Sequence, residues 1–289
     1  MYKKSIKDNS QYLIPFIEGI KYYGSTDLEQ GGGTMMILND KGDILTCAHI
    51  ANEFIVNHNL AKSYSQLIQD IKLSKNKEQR KQIEKKYGLK KDTPVLTHID
   101  LPLDVQGGLT FDIIFHEYLD LALIRLKGIK TERNNYPIFS EKFPEQGQNI
   151  CKLGYAFPEF DIFKYSSDLD NIVIKEDGIR NFPIFPMDGI VTRGIVDEHN
   201  TLSMFETSTP GLRGQSGGPI FGPDGVVYGI QSMTVHLDLN FDVNKVVKRG
   251  IENKKVNFTP FINLGVGISS TEIIKFLEKN NIEFQKNSN

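Results

Sequence analysis

Apolar and polar positions change over in short runs along most of this chain, at the spacing of strands and not of long helices. Met35–Leu38 is an apolar run, Asn39-Asp40-Lys41-Gly42 has turn chemistry, and Ile44–Cys47 is apolar again, which predicts a hairpin. Further strands are expected over Pro94–Leu101, Leu109–Phe115, Leu121–Leu126, Gly189–Val196, Thr201–Glu206, Pro219–Phe221, Val226–Thr234 and Phe261–Ile268. The period changes between 53 and 91, where Leu67, Ile68, Ile71 and Leu73 share a helical face and K-N-K-E-Q-R-K-Q-I-E-K-K-Y follows. A solvated helical insertion over about 56–91 is predicted there, with Gly88 as its stop. Thr271–Lys279 carries Ile273, Ile274, Phe276 and Leu277 at helical spacing and reads as a C-terminal helix.

Less regular stretches divide these elements. Residues 1–30 are expected to form an arm, Phe143–Gln148 a linker, and 157–186, rich in Phe, Asp and Pro, a surface loop. With no alternating β/α rhythm, the fold class is all-β. A first β-rich half spans 31–142, and a second spans 143–289 and includes the C-terminal helix.

Composition narrows the picture without choosing a chemistry. At 289 residues the chain has room for one large domain or two small barrels packed together. A net charge of −2 gives no electrostatic reason to expect nucleic acid or an anionic membrane as partner. The N-terminus lacks the apolar stretch and cleavage site of a secretory leader, and no run is apolar enough to span a bilayer. The two cysteines, Cys47 and Cys151, are expected as free buried thiols in a reducing, cytoplasmic setting. No cofactor is called for: Gly31-Gly32-Gly33 lacks the helix and lysine of a phosphate loop, and His98 and His116 have no metal-ligand spacing.

Chemistry concentrates in T-P-G-L-R-G-Q-S-G-G-P-I, Thr209–Ile220. Ser216 stands among Gly214, Gly217 and Gly218, where a hydroxyl is presented on a turn and backbone N–H groups are open to an oxyanion. Of six histidines, only His49, in I-L-T-C-A-H-I, is delivered to a loop edge by a strand. Asp120 opens the apolar run D-L-A-L-I-R-L. Each alone also fits a plain structural role. Together they have the chain order His49…Asp120…Ser216, that of one known Ser-His-Asp arrangement and not of the α/β-hydrolases.

On these stretches the chain resembles the chymotrypsin/trypsin-fold serine peptidases, and within them the HtrA-like bacterial branch. G-G-G-T-M-M-I-L, I-C-K-L-G-Y, G-V-V-Y-G-I-Q-S-M and I-N-L-G-V-G-I-S-S-T-E-I-I-K-F-L extend the likeness from Gly31 to about Leu277. No PDZ-like segment follows, which departs from typical HtrA proteins. The resemblance implies two six-stranded antiparallel β-barrels, with the helical insertion in the first and the helix after the second. It implies Ser216 as nucleophile, His49 as general acid/base, Asp120 as its orienter, and the N–H groups of Gly214 and Ser216 as oxyanion hole. It implies that Ser232, Met233 and Thr234 pair the substrate backbone, and that Pro210, with Gly211 and Leu212, forms the floor of the S1 pocket.

Two departures refine the expectation. Gln215 stands where digestive trypsins carry the aspartate that pairs a new N-terminal amine, so activation by N-terminal trimming is not expected. No acid occupies the pocket floor, and Gln231 replaces the histidine of glutamyl-specific relatives. A small or medium apolar P1 residue is therefore expected, with Glu206 the one nearby acid of undecided direction. The chain reads as a serine endopeptidase acting on proteins or peptides, latent until a partner or substrate orders its loops. The alternative is a silent relative that binds peptides or partners in the same groove.

Overall fold

The computed structural model describes residues 1–287 apart from 104–109, 128–130, 132, 158, 198–199 and 250–251. Leu109, heading one expected strand, Pro158, in the expected loop, and His199 lie outside the described residues. The elements are α1 (Lys3–Ser10), β1 (Leu13–Tyr22), β2 (Leu28–Ile37), β3 (Asp43–Thr46), α2 (Ala48–Leu73), α3 (Lys77–Lys86), β4 (Pro94–Asp100), β5 (Phe111–Phe115) and β6 (Ala122–Leu126). They continue with β7 (Ile138–Ser140), β8 (Asn149–Lys152), β9 (Glu159–Ser166), β10 (Asn171–Asn181), β11 (Met187–Val196), β12 (Leu202–Thr207) and β13 (Pro219–Phe221). The last are β14 (Val227–Asp238), β15 (Val243–Arg249), β16 (Glu252–Phe258), β17 (Phe261–Ser269), α4 (Ser270–Lys279) and β18 (Gln285–Asn287).

The first barrel is a six-stranded antiparallel sheet in the order β4-β1-β2-β3-β6-β5. Its central strands read as continuous apolar runs because both faces are covered: β3 is buried along its whole length, as are Met35–Ile37 of β2. In the second barrel β13, β8, β11, β12, β17 and β14 form a ring of six, closed by the β13–β14 pairing. β7 and β18 add to it as parallel strands. One apolar core joins the two halves, running from Met35, Ile44 and Leu123 through Cys151, Leu153 and Phe221 to Ile273 and Leu277 of α4. Ser269 caps α4, accepting from the Glu272 N–H. The architecture is the expected all-β pair of barrels with a helical insertion and a C-terminal helix.

Three local expectations are corrected. The stretch read as an arm contains α1 and β1, and β1 pairs along its length with β2 and at its second half with β4. Its sequence L-I-P-F-I-E-G-I-K-Y hid this, because proline, glycine and glutamate interrupt an otherwise buried strand. The helical insertion begins at Ala48, directly after Cys47, and is broken at Ser74 into α2 and α3. The loop expected over 157–186 is instead the β9–β10 hairpin, with Ile162, Phe163 and Ile172 packed on Ile17 and Leu96 of the first barrel. A second hairpin, β15–β16, was not expected at all; its exposed Val246 and Phe258 alternate with lysines and asparagines.

Candidate active site

Strand β3 ends at Thr46, Cys47 is the residue before the helix, and His49 is the second residue of α2. Its backbone N–H donates to Asp120 Oδ1 at 2.9 Å, and its Nδ1 lies 2.8 Å from Asp120 Oδ2. Asp120 sits just before β6, the strand beside β3, so sheet pairing of Thr46 with Ala122 brings the two residues together. Ser232 adds its hydroxyl, which donates to Asp120 Oδ2 at 2.7 Å. Burial by itself raises the Asp120 pKa, but the hydrogen bonds from His49 and Ser232 outweigh it and hold the carboxyl below its ordinary range. An ionised Asp120 fixes the imidazole with Nδ1 protonated and Nε2 free to accept.

Ser216 comes from the second barrel. Its Oγ donates to the Ser232 carbonyl at 3.3 Å, and among the described residues it makes no hydrogen bond to His49. Ser232 therefore touches both halves of the constellation. The turn carrying Ser216 is wedged between the barrels: the Thr34 N–H donates to Ser216 O at 3.0 Å, and Gly217 N–H to Gln231 O at 2.8 Å. Gly217 has φ of 84°, and a Cβ there would lie 2.2 Å from Thr34 O, so no other residue fits.

The Gly214 peptide is held on both sides. The Arg213 carbonyl accepts from the Phe157 N–H at 3.0 Å, and the Gly214 carbonyl accepts from Thr34 Oγ1 at 2.7 Å. With these carbonyls engaged elsewhere, the N–H groups of Gly214 and Ser216 have no acceptor among the described residues, which is what an oxyanion would require of them. Gln215 is fully buried; its Oε1 accepts from the Leu212 N–H and its Nε2 donates to the Phe185 carbonyl, each at 3.0 Å.

Near Ser216, Pro210–Leu212 and Ser232–Thr234 lie side by side as two walls in contact. Thr234 Oγ1 donates to the Gly211 carbonyl at 2.8 Å, tying the walls together. Gln231 fills the space between them: a Cβ on Gly211 would meet its Nε2 at 2.3 Å, and it donates to the Met233 carbonyl at 2.7 Å. Glu206 does not enter: its carboxylate is taken by Arg193 at 2.8 Å and Thr192 at 2.6 Å. Sequence reasoning missed Lys152, which reaches the same region; the available signal was one lysine inside the apolar strand I-C-K-L-G-Y.

Cys47, His49 and Asp120 place one ligand-type atom each within 4.8 Å of one another. Their hydrogen bonds already account for that closeness: Cys47 Sγ donates to Gln231 O at 3.3 Å, and Asp120 accepts from His49 and Ser232. Burial holds the Cys47 thiol pKa well above its ordinary value, so it is a poor thiolate ligand.

A two-barrel fold with a serine on a glycine turn and a His–Asp pair facing it defines the class of trypsin-like peptidase domains. The family model for the trypsin-like peptidase domain matches residues 33–230, more than half of the 289-residue chain, and the chain belongs to this family. No curated protein matches it.

Proposed function

We propose that this chain is a serine endopeptidase. The observation that carries the reading is the His49–Asp120 pair meeting Ser216 at one residue, Ser232. In the first step the Ser216 hydroxyl turns from the Ser232 carbonyl to His49, passes its proton to Nε2 and attacks the scissile carbonyl carbon. The Gly214 and Ser216 N–H groups take the oxyanion. His49 then returns the proton to the leaving amine, and water, deprotonated by the same imidazole, hydrolyses the acyl-enzyme. Ser232–Thr234 of β14 would pair the substrate backbone as an added strand. A Ser216 hydroxyl resting on the Ser232 carbonyl fits an enzyme at rest until substrate arrives.

Within the family we place the chain beside the HtrA-like branch, on I-C-K-L-G-Y and on the β17–α4 ending. Two free, buried cysteines fit a reducing compartment. No described helix is long and apolar enough to cross a membrane.

Intact-mass analysis after fluorophosphonate treatment tests the reading. One adduct is expected on the wild type and none on Ser216→Ala, with casein cleavage lost in the variant. An unlabelled wild type, or equal cleavage by both, overturns it.

A further inference from the structure

We infer that the protein cuts extended chain segments bearing apolar residues at P4 and P6, read by the β14–β17 ribbon beyond Thr234. The inference rests on the peptidase reading above and names its substrate class.

β13 pairs with β14 only as far as Ile230, and β12 with β17 only over Gly265–Ile268. β14 and β17 stay paired past those points, out to Asp238 and Phe261. They therefore leave the barrel as a two-stranded ribbon. Among the described residues no strand bonds the outer edge of β14 beyond Ile230. That edge starts at Ser232, whose carbonyl accepts from Ser216 and whose hydroxyl donates to Asp120. Free edges are normally blunted by lysine or proline, because their open N–H and C=O groups recruit another strand. Ser232–Leu237, S-M-T-V-H-L, has neither.

Side-chain alternation gives the ribbon two unlike faces. Cross-strand partners share a face, so Met233 with Val266, Val235 with Leu264, and Leu237 with Ile262 line one side. All of these are apolar, yet Met233, Leu237 and Ile262 are each 40% exposed or more. The opposite face carries Thr234, His236, Asn263 and Asp238, with Thr234 bonded to Gly211 and His236 to Asn263. A two-stranded ribbon gains little stability alone, so an apolar face held in water points to a chain that covers it.

Continuity with the nucleophile makes the substrate that chain. Added antiparallel to β14, it brings its C-terminal side to Ser216 and runs its N-terminal side outward along the ribbon. With P1 opposite Ser232, counting back one residue at a time places P4 opposite Val235 and P6 opposite Leu237. Both side chains then fall on the apolar face, flanked by Leu264 and Ile262 of the next strand. Six residues laid flat span about 20 Å, which selects an extended segment over a folded loop.

Peptides spanning P6–P4′, built on a casein site that the protein cuts and carrying Leu, Ala or Lys at both P4 and P6, test this. They are compared on wild type, on the double variant Leu237→Asp with Ile262→Asp, and on Asn263→Asp of the opposite face. On the wild type, kcat/KM is expected to be at least about 10-fold higher for Leu than for Lys, the scale of apolar discrimination. The double variant should lose that ratio and Asn263→Asp should keep it. A fluorophosphonate-labelled wild type that cuts the three peptides equally, or prefers Lys, overturns the inference and leaves the peptidase reading intact. So does a ratio that survives in the double variant. An unlabelled wild type overturns that reading and the inference with it. If the double variant does not fold, peptides shortened to P3 decide on the wild type, and cleavage as fast as that of the full Leu peptide overturns the inference. A dimer in sedimentation that Leu237→Asp alone dissolves would give the edge to a second copy of the chain and overturn it too.

Discussion

Glu18 shows at the level of one residue how burial sets a charge. It is 4% exposed on β1, and its Oε1 has no hydrogen-bond partner among the described residues. Burial first, then the nearby carboxylates Glu53 and Glu29, raises its pKa to about 8 from an ordinary 4.5. The folded chain thus holds a proton that the unfolded chain gives up above pH 4.5. Stability from this group is full below 4.5 and is lost as pH rises through 8. Melting curves at pH 5 and pH 8.5 should show a smaller decline for Glu18→Gln than for wild type. Each kcal/mol recovered at the higher pH corresponds to about 2–4 °C for domains somewhat smaller than this chain. Equal declines would mean Glu18 is ionised in the fold. His49 and Asp120 were readable as residues because strand ends mark them. Glu18 and Lys152 were not, since a charged residue in a strand normally points outward and only packing turns it in.

Between elements, the helical insertion has two unequal parts. The start of α2 belongs to the barrel: Ile50, Ala51 and Phe54 are buried, and the helix is bonded to β4 through Asn57 and the Thr97 carbonyl at 2.7 Å. Because His49 is its second residue, the helix also sets the imidazole. α3 has no buried residue and is tied down by surface contacts, Lys86 to Asp70 at 2.8 Å and the partly buried Tyr23 to Glu84 at 2.7 Å. Such pairs contribute about 0–1 kcal/mol each. Replacing residues 74–89 with a short Gly/Ser link should therefore shift Tm by no more than about 4 °C and leave fluorophosphonate labelling unchanged. Loss of labelling would show that the insertion reaches the site. The charged run was legible as solvated helix, but its beginning was not, because Cys47 lacks a side-chain cap.

Across the whole molecule, the β9–β10 hairpin links the halves. It leaves the second barrel, packs Ile162, Phe163 and Ile172 on the first, and returns at Phe185. Its two flanks hold the turn before Ser216: Phe157 by its N–H to Arg213, Phe185 by its carbonyl to Gln215. Replacing 159–181 by a short loop should uncover Ile17 and Leu96 and free the Arg213 peptide to turn. The variant should keep its β-rich circular dichroism, bind a hydrophobic dye and label with fluorophosphonate at least about 100-fold more slowly, the typical loss of one oxyanion donor. Unchanged labelling would show that the turn stands alone.

Local chemistry alone determined the hairpin before His49, the strand character of stretches such as Pro219–Phe221 and Phe261–Ile268, the glycine turn at Ser216 and the C-terminal helix. These rest on turn residues, apolar periodicity and capping within a few positions. Only the tertiary structure decided that 13–22 is a sheet strand, that 159–181 clasps the first barrel, and that Lys152 turns inward to the carbonyls of Thr209 and Pro210. Those depend on which faces meet across the chain, and a mixed strand reads the same whether its charged residue faces water or the core.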